Sequence, residues 1–223
     1  MSAKNVVIAA TDQLFNKKDV RAVDELFGPI YVQHSALGAD GVVGLKALVS
    51  SLPETAGYEL TRVLADGELV VTEGVFTGFA PVPLTGYDVW RVIDDWIVEH
   101  WDALSAAATQ SSGKDTSVDD ATLNANRALI GRWTAEVLVA GDRTSLASYL
   151  APGADVTLDD SLAYSVVHAV VADQDVVYTR SEGVRDGSVI INDMWRIADG
   201  KIDEHWQLVA AVPDKMPHSN GAF

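Results

Sequence analysis

The run Tyr87-Asp88-Val89-Trp90-Arg91-Val92-Ile93-Asp94-Asp95-Trp96-Ile97-Val98-Glu99-His100-Trp101-Asp102-Ala103-Leu104 decides how the chain is read, because most of it returns near the C-terminus. There it appears as Asn192-Asp193-Met194-Trp195-Arg196-Ile197-Ala198-Asp199-Gly200-Lys201-Ile202-Asp203-Glu204-His205-Trp206-Gln207. Trp90 and Trp195, Arg91 and Arg196, Glu99 and Glu204, His100 and His205, and Trp101 and Trp206 all stand 105 positions apart. A period of that length marks a repeated domain.

Asp199-Gly200 sits between two β-prone runs, a strong signal for a two-residue hairpin turn. Opposed residues of an antiparallel pair share a face. Pairing about this turn therefore gathers Asn192, Met194, Arg196, Asp203, His205 and Gln207 on one side, and Asp193, Trp195, Ile197, Ile202, Glu204 and Trp206 on the other. In the first copy, with Asp95-Trp96 at the turn, the same register gathers Tyr87, Val89, Arg91, Val98, His100 and Asp102. Asp88, Trp90, Val92, Ile97, Glu99 and Trp101 lie opposite. The first of these faces offers an imidazole, a carboxylate, a phenol and a guanidinium on adjacent strands, the groups that move protons and hold a developing oxyanion. The plainer alternative leaves Arg91 and Asp102 at a solvated sheet rim and His100 as a satisfied core histidine. A site on the opposite face would fall instead to Asp88, Trp90, Glu99 and Trp101.

With 223 residues, the repeat resolves the chain into two domains: 1–105, a linker 106–120, and a shortened second domain 121–223. At 48% hydrophobic residues and a mean hydropathy of +0.11, each can bury a core. The 32 acidic residues outnumber the 16 basic ones, giving a net charge of −16. That argues against nucleic acid or an anionic membrane as partner, since both are polyanions. No apolar run of about 18 residues would span a bilayer, and the N-terminal apolar run, broken by Asp12, is too weak for a secretory signal. A cytoplasmic location is expected. With no cysteine in the chain, disulfides and thiolate chemistry are excluded.

Ser2 can cap a helix over about 3–16, a second short helix fits 20–27, and a third fits 42–52. Between the last two lies the β-prone segment Ile30-Tyr31-Val32-Gln33-His34. From Gly57 the pattern turns to period two, so the order is helices and then an antiparallel meander, an α+β arrangement. Residues 106–120, rich in small and polar types, read as a flexible linker or an exposed connection. A long helix over about 118–140, capped by Ser117, restarts the second half, which has no counterpart of Gln33-His34 or of the third helix. The segment 213–223 is expected to be a mobile tail with an unimportant His218.

Tyr31-Val32-Gln33-His34, Ala39-Asp40-Gly41, Trp90-Arg91 and Val98-Glu99-His100-Trp101-Asp102 together resemble the SnoaL-like group of the nuclear transport factor 2-like superfamily. The resemblance covers nearly all of the first half and, more faintly, the second. It implies a cone, a curved antiparallel sheet wrapped around N-terminal helices with a pocket between them; with the repeat, two such domains are expected in tandem, a departure from the usual single-domain member. In similar members that pocket hosts polyketide ring closure, isomerisation, dehydration or epoxide hydrolysis, usually without a cofactor, and none is expected here. Other members only bind or assemble.

On that resemblance the catalytic candidates are His34, His100 and Asp102. Histidine titrates near neutrality, and an apolar cone can raise a carboxyl pKa by desolvation. The substrate-binding candidates are Tyr31, Tyr87, Arg91, Trp90 and Trp101. The expected cavity joins His34, Arg91, His100 and Asp102, with Trp90 and Trp101 on the other sheet face. The expected activity is that of a cyclase, isomerase or hydrolase acting by acid-base chemistry on an apolar carbonyl compound; the alternative is a non-catalytic binding or interaction module. A metal at His34, His100 and Asp102 would make a two-histidine, one-carboxylate site, but local spacing does not specifically support it. The second copy keeps Arg196 and His205 but has Gln207 in place of Asp102, which suits a scaffold or a second binding pocket. The Trp90, Glu99, Trp101 face and its Trp195, Glu204, Trp206 counterpart are expected to cover each other in an intrachain pseudo-dimer.

Overall fold

The computed structural model describes residues 1–106, 108–111 and 113–223. Ala107 and Ser112, within the expected linker, lie outside the described residues. Two compact units emerge, Met1–Ala107 with Pro213–Phe223, and Ala108–Val212.

In the first unit Ser2 caps α1 (Ala3–Thr11) by accepting from the Asn5 amide. The helix then widens into a π turn over Asp12–Asn16. After α2 (Arg21–Leu26) and β1 (Phe27–Gln33), α3 (Gly41–Ser51) precedes a meander of β2 (Gly57–Asp66), β3 (Leu69–Thr77), β4 (Leu84–Ile93) and β5 (Trp96–Ser105). The sheet order is β1-β5-β4-β3-β2. The meander is antiparallel, but β1 joins β5 in parallel, with Gln33 beside His100, so the sheet is mixed rather than wholly antiparallel. Val6, Val7, Ala10, Leu14 and Phe15 pack with Val70, Phe76, Trp90, Val92 and Ile97, which places helices and core on one sheet face. Gly74 and Gly86 face each other across β3 and β4 on that side. A Cβ at Gly74 would meet the Tyr58 ring at 2.3 Å, and one at Gly86 the Phe76 ring at 2.4 Å. Both rings lie across the sheet because no side chain stands in their way.

The second unit repeats this plan with α4 (Asp120–Trp133), another π turn (Thr134–Val139), a 3₁₀ turn (Arg143–Ser145) and α5 (Leu146–Tyr149). Its sheet is β6 (Leu150–Asp155), β7 (Ala163–Asp173), β8 (Val176–Val184), β9 (Ser188–Ala198) and β10 (Lys201–Ala211), in the order β6-β10-β9-β8-β7. Asp119, not Ser117, caps α4, accepting from the Thr122 amide at 2.8 Å. No counterpart of α3 follows β6. The described part of the expected linker takes the exposed-connection form. The Arg196 guanidinium donates to the Gly113 and Lys114 carbonyls and to Asp115, while the Thr116 amide donates to Asp175.

Segment 213–223 is no loose tail: it belongs to the first unit, where His218, Asn220 and Gly221 hydrogen-bond to residues 33–40. No helix is long and apolar enough to cross a membrane among the described residues.

Candidate functional site

The site is set by one extra residue. The β4–β5 hairpin turns at Asp94-Asp95, not Asp95-Trp96, with both aspartates at positive φ of 49° and 67°. Short polar residues tolerate that region better than others. Ile93 then pairs with Trp96 and Val92 with Ile97, but Arg91 pairs with Glu99, leaving Val98 as a β-bulge. A bulge shifts the pairing by one, and a one-residue shift exchanges the two faces of everything beyond it. Trp90 therefore opposes His100, and Asp88 opposes Asp102, on the helix-covered face. The second unit does the same at Asp203, so that Trp195 opposes His205.

Asp88 and His100 are 2% and 5% exposed, and His100 Nε2 lies 3.1 Å from Asp88 Oδ1. His100 Nδ1 lies 2.9 Å from Gln33 Oε1, an oxygen that already accepts from the Ser35 amide. Nδ1 must therefore carry a hydrogen. If the ring is neutral, Nε2 can only accept, and Asp88 must donate as a carboxylic acid. If the ring is charged, Asp88 is ionised; on either account the pair shares one proton. Burial raises the Asp88 pKa to about 8, disfavouring its charged form. The Trp90 ring lies over the imidazole at 3.9 Å, and its indole N–H donates to Thr72.

Asp102 is half-buried beside this pair and accepts from the Ser35 hydroxyl at 2.6 Å. Asp88, His100 and Asp102 line one narrow cavity with Tyr31, Gln33 and Ser35, and its remaining wall is apolar and aromatic. Burial pushes the Tyr31 phenol well above its ordinary pKa, so it stays a donor. Its hydroxyl and Asp88 Oδ2 are buried without a hydrogen-bond partner among the described residues. An unsatisfied donor and an unsatisfied acceptor in one apolar cavity suit a small polar group on an apolar ligand.

Other expected site residues lie elsewhere. His34, Arg91, Tyr87 and Trp101 do not line the cavity, and Trp90, expected on the far face, does. His34 Nε2 sits 3.0 Å from Glu99, its ring stacked on Trp101, while Arg91 pairs with Glu99 at 2.9 Å and lies over the same indole. Tyr87 donates to Glu73 from that face as well. The reason is the alternation of the strand: Gln33 is beside His100, so the next residue, His34, must point to the opposite side. The metal set His34, His100 and Asp102 is accordingly not assembled. Asp88, His100 and Asp102 do bring potential ligand atoms within 4.8 Å of one another, but both imidazole nitrogens are already engaged, by Gln33 and by Asp88.

A family model described as a SnoaL-like domain matches residues 8–100. Residues 8–100 belong to the SnoaL-like family. No curated protein matches the sequence. Three solved structures resemble about half of the chain. An LEH-like epoxide hydrolase from M. tuberculosis is 25% identical, covering 46% of this chain and 82% of its own, with a TM-score of 0.40. An NTF-2 like protein of unknown function from Burkholderia xenovorans LB400 is 18% identical over 49% and 88%, with a TM-score of 0.42. TsrD from Streptomyces laurentii is 17% identical over 47% and 89%, with a TM-score of 0.40.

The Asp88, Trp90 and His100 arrangement has a counterpart in the second unit. Asp193 and His205, 105 positions after Asp88 and His100, are 2.9 Å apart, and Trp195 stacks on His205 at 4.0 Å. Here, however, the Tyr164 hydroxyl lies 3.1 Å from Asp193, and Gln207 donates to both. Sequence reasoning kept Asp88 only for a site on the opposite face and gave Asp193 no role, although the Asp-x-Trp spacing recurs with the same 105-residue period. The two tryptophans expected to share an outer face are split: Trp90 and Trp195 pack under the helices, while Trp101 stacks with His34 and Trp206 with Arg196.

Proposed function

We propose that the SnoaL-like domain is a small-molecule enzyme of the cyclase, isomerase or hydrolase type, using acid-base chemistry on an apolar carbonyl compound. The observation that carries this reading is the buried Asp88–His100 pair, 3.1 Å apart, beside Asp102 in a cavity whose remaining wall is apolar and aromatic. To donate to an oxygen that gains charge, a protonated Asp88 must give up its bond to His100 Nε2, while Asp102, in a different environment, is placed to accept a proton from the same molecule. Two carboxyls held in unlike surroundings are a recurrent way to separate the acid and base roles. Tyr31 is the second donor, and Gln33 fixes the imidazole tautomer. The apolar walls exclude water, which strengthens each of these interactions.

The alternative is a non-catalytic binding module, and on either reading the space left in the cavity is about 20 Å³, room for a single water. Any larger ligand must first displace side chains. Exchange of the α-hydrogens of small apolar ketones in D₂O, followed by NMR, separates the two readings. Catalysed exchange that is lost in Asp88→Asn and in Asp102→Asn supports the enzyme. Ketones that bind in the cavity without accelerated exchange would leave a binding module.

A further inference from the structure

The SnoaL-like domain is made from two pieces of chain, 1–107 and 213–223, and the second piece lies where the cavity's polar edge is held. Gln33 ends β1, and both of its backbone polar groups are taken. Its N–H donates to Asp40 Oδ1 at 3.0 Å, and its C=O accepts from Asn220 Nδ2 at 2.9 Å. The same Asn220 amide donates to Asp40 Oδ1 at 2.7 Å, which closes a ring of three hydrogen bonds across the base of the 34–40 loop. Two further bonds reach that loop from the C-terminal segment: His218 Nε2 lies 2.9 Å from the Ser35 carbonyl, and His34 Nδ1 lies 3.1 Å from the Gly221 carbonyl. Ala222 is buried at its end.

The residues held in this way are the ones that touch the acid-base groups. Gln33 Oε1 faces His100 Nδ1, the Ser35 hydroxyl donates to Asp102, and the Ser35 amide ties the two together through Gln33 Oε1. Leu37, on the same loop, lines the cavity while half its surface is exposed, so it stands at the opening. Because the cavity has space for one water only, a larger ligand needs a wall to move, and this loop is the wall at the opening.

We propose that residues 218–221 form a clasp on the 34–40 loop, with Asn220 as the positioning residue that sets Gln33 and Ser35 against His100 and Asp102 and holds the cavity shut. The proposal rests on the site assigned above but not on its being catalytic. Asn220→Asp tests it in the full-length chain, since the change keeps the shape, removes the donor and places a second carboxylate beside Asp40. Hydrogen exchange at amides 33–41 should quicken at least tenfold while amides of β3 keep their rates. The ¹⁵N signals of the His100 imidazole should move, which a merely structural contact at the surface would not cause. Association of 2-naphthol, a fluorescent phenol sized for an apolar cavity, should become severalfold faster. Unchanged exchange at 33–41 together with an unmoved His100 spectrum would overturn the clasp, and unchanged 2-naphthol association would overturn its hold on entry. Failure of the enzyme reading looks different: ketone exchange is then absent in the native chain, while the three Asn220 readouts still respond.

Discussion

The Trp90 indole lies flat over the His100 imidazole, with ring centroids 3.9 Å apart and planes 22° from parallel. Trp195 and His205 repeat the contact at 4.0 Å and 10°. Both pairs owe their existence to the bulges at Val98 and Asp203, without which each tryptophan would lie on the face opposite its histidine. Trp90→Phe keeps a ring on the imidazole but loses the bond to Thr72, for an expected cost of about 1 kcal/mol. Trp90→Ala also opens a cavity and should cost about 3–5 kcal/mol. Urea denaturation of the two variants checks both values.

Asp88 makes stability depend on pH in a definite direction. Its pKa is about 8 in the folded chain, above the ordinary carboxyl value of 3.8, so between these limits the folded state holds a proton that the unfolded chain has released. Stability from this group is fully present below pH 4 and is lost as pH rises toward 8. Asp88→Asn should flatten that decline. Thermal melts of both chains from pH 4 to 9 provide the comparison, and parallel curves would refute the assignment.

Ser35→Ala removes the hydroxyl that donates to Asp102 and accepts from the Leu37 amide. Loss of a hydrogen bond to a carboxylate should cost roughly 1–3 kcal/mol. Amide exchange at Leu37 should rise in the same variant, and a Leu37 amide that stays protected would show that the loop is held by other contacts.

Tyr164→Phe tests how far Tyr164 holds the buried Asp193 in the second unit. The hydroxyl it removes donates to Asp193, a carboxylate that is fully buried. The expected cost is again roughly 1–3 kcal/mol, because a buried acceptor loses its donor. Calorimetry would show it as a lowered melting temperature. Tyr164→Gly should go further and leave a hollow beside Asp193 that takes up phenol, measurable as a phenol-dependent rise in that temperature.

Much of this was legible before any coordinates. The 105-residue repeat, the Ser2 cap, the Asp199-Gly200 turn and the order of helices and strands follow from spacing and turn chemistry. The identity of the pocket face did not. A β-bulge formed by a valine or an aspartate has no marker in the sequence, unlike one built on glycine, yet it reverses side-chain direction along the rest of the strand. A register without the bulge groups Arg91 with His100, leaves Asp88 on the opposite face and favours His34 over its neighbour Gln33. The internal repeat held a partial remedy, since Asp88 and Asp193 keep the same spacing as the histidines. The role of 213–223 was hidden for another reason: a polar segment with two prolines looks mobile unless its hydrogen-bond partners, some 180 residues away, are known.

Because the first unit is closed by residues 213–223, its assembly is tied to the order in which the chain is made. Residues 1–107 leave the ribosome first and can form their sheet, but Asn220 does not exist until the whole of 108–212 has been translated. At about 5–20 residues per second, this interval lasts roughly 5–20 s. During that time the 34–40 loop lacks its hydrogen bonds with His218, Asn220 and Gly221, so on the proposed clasp the newborn unit passes through an open stage that the finished protein leaves behind.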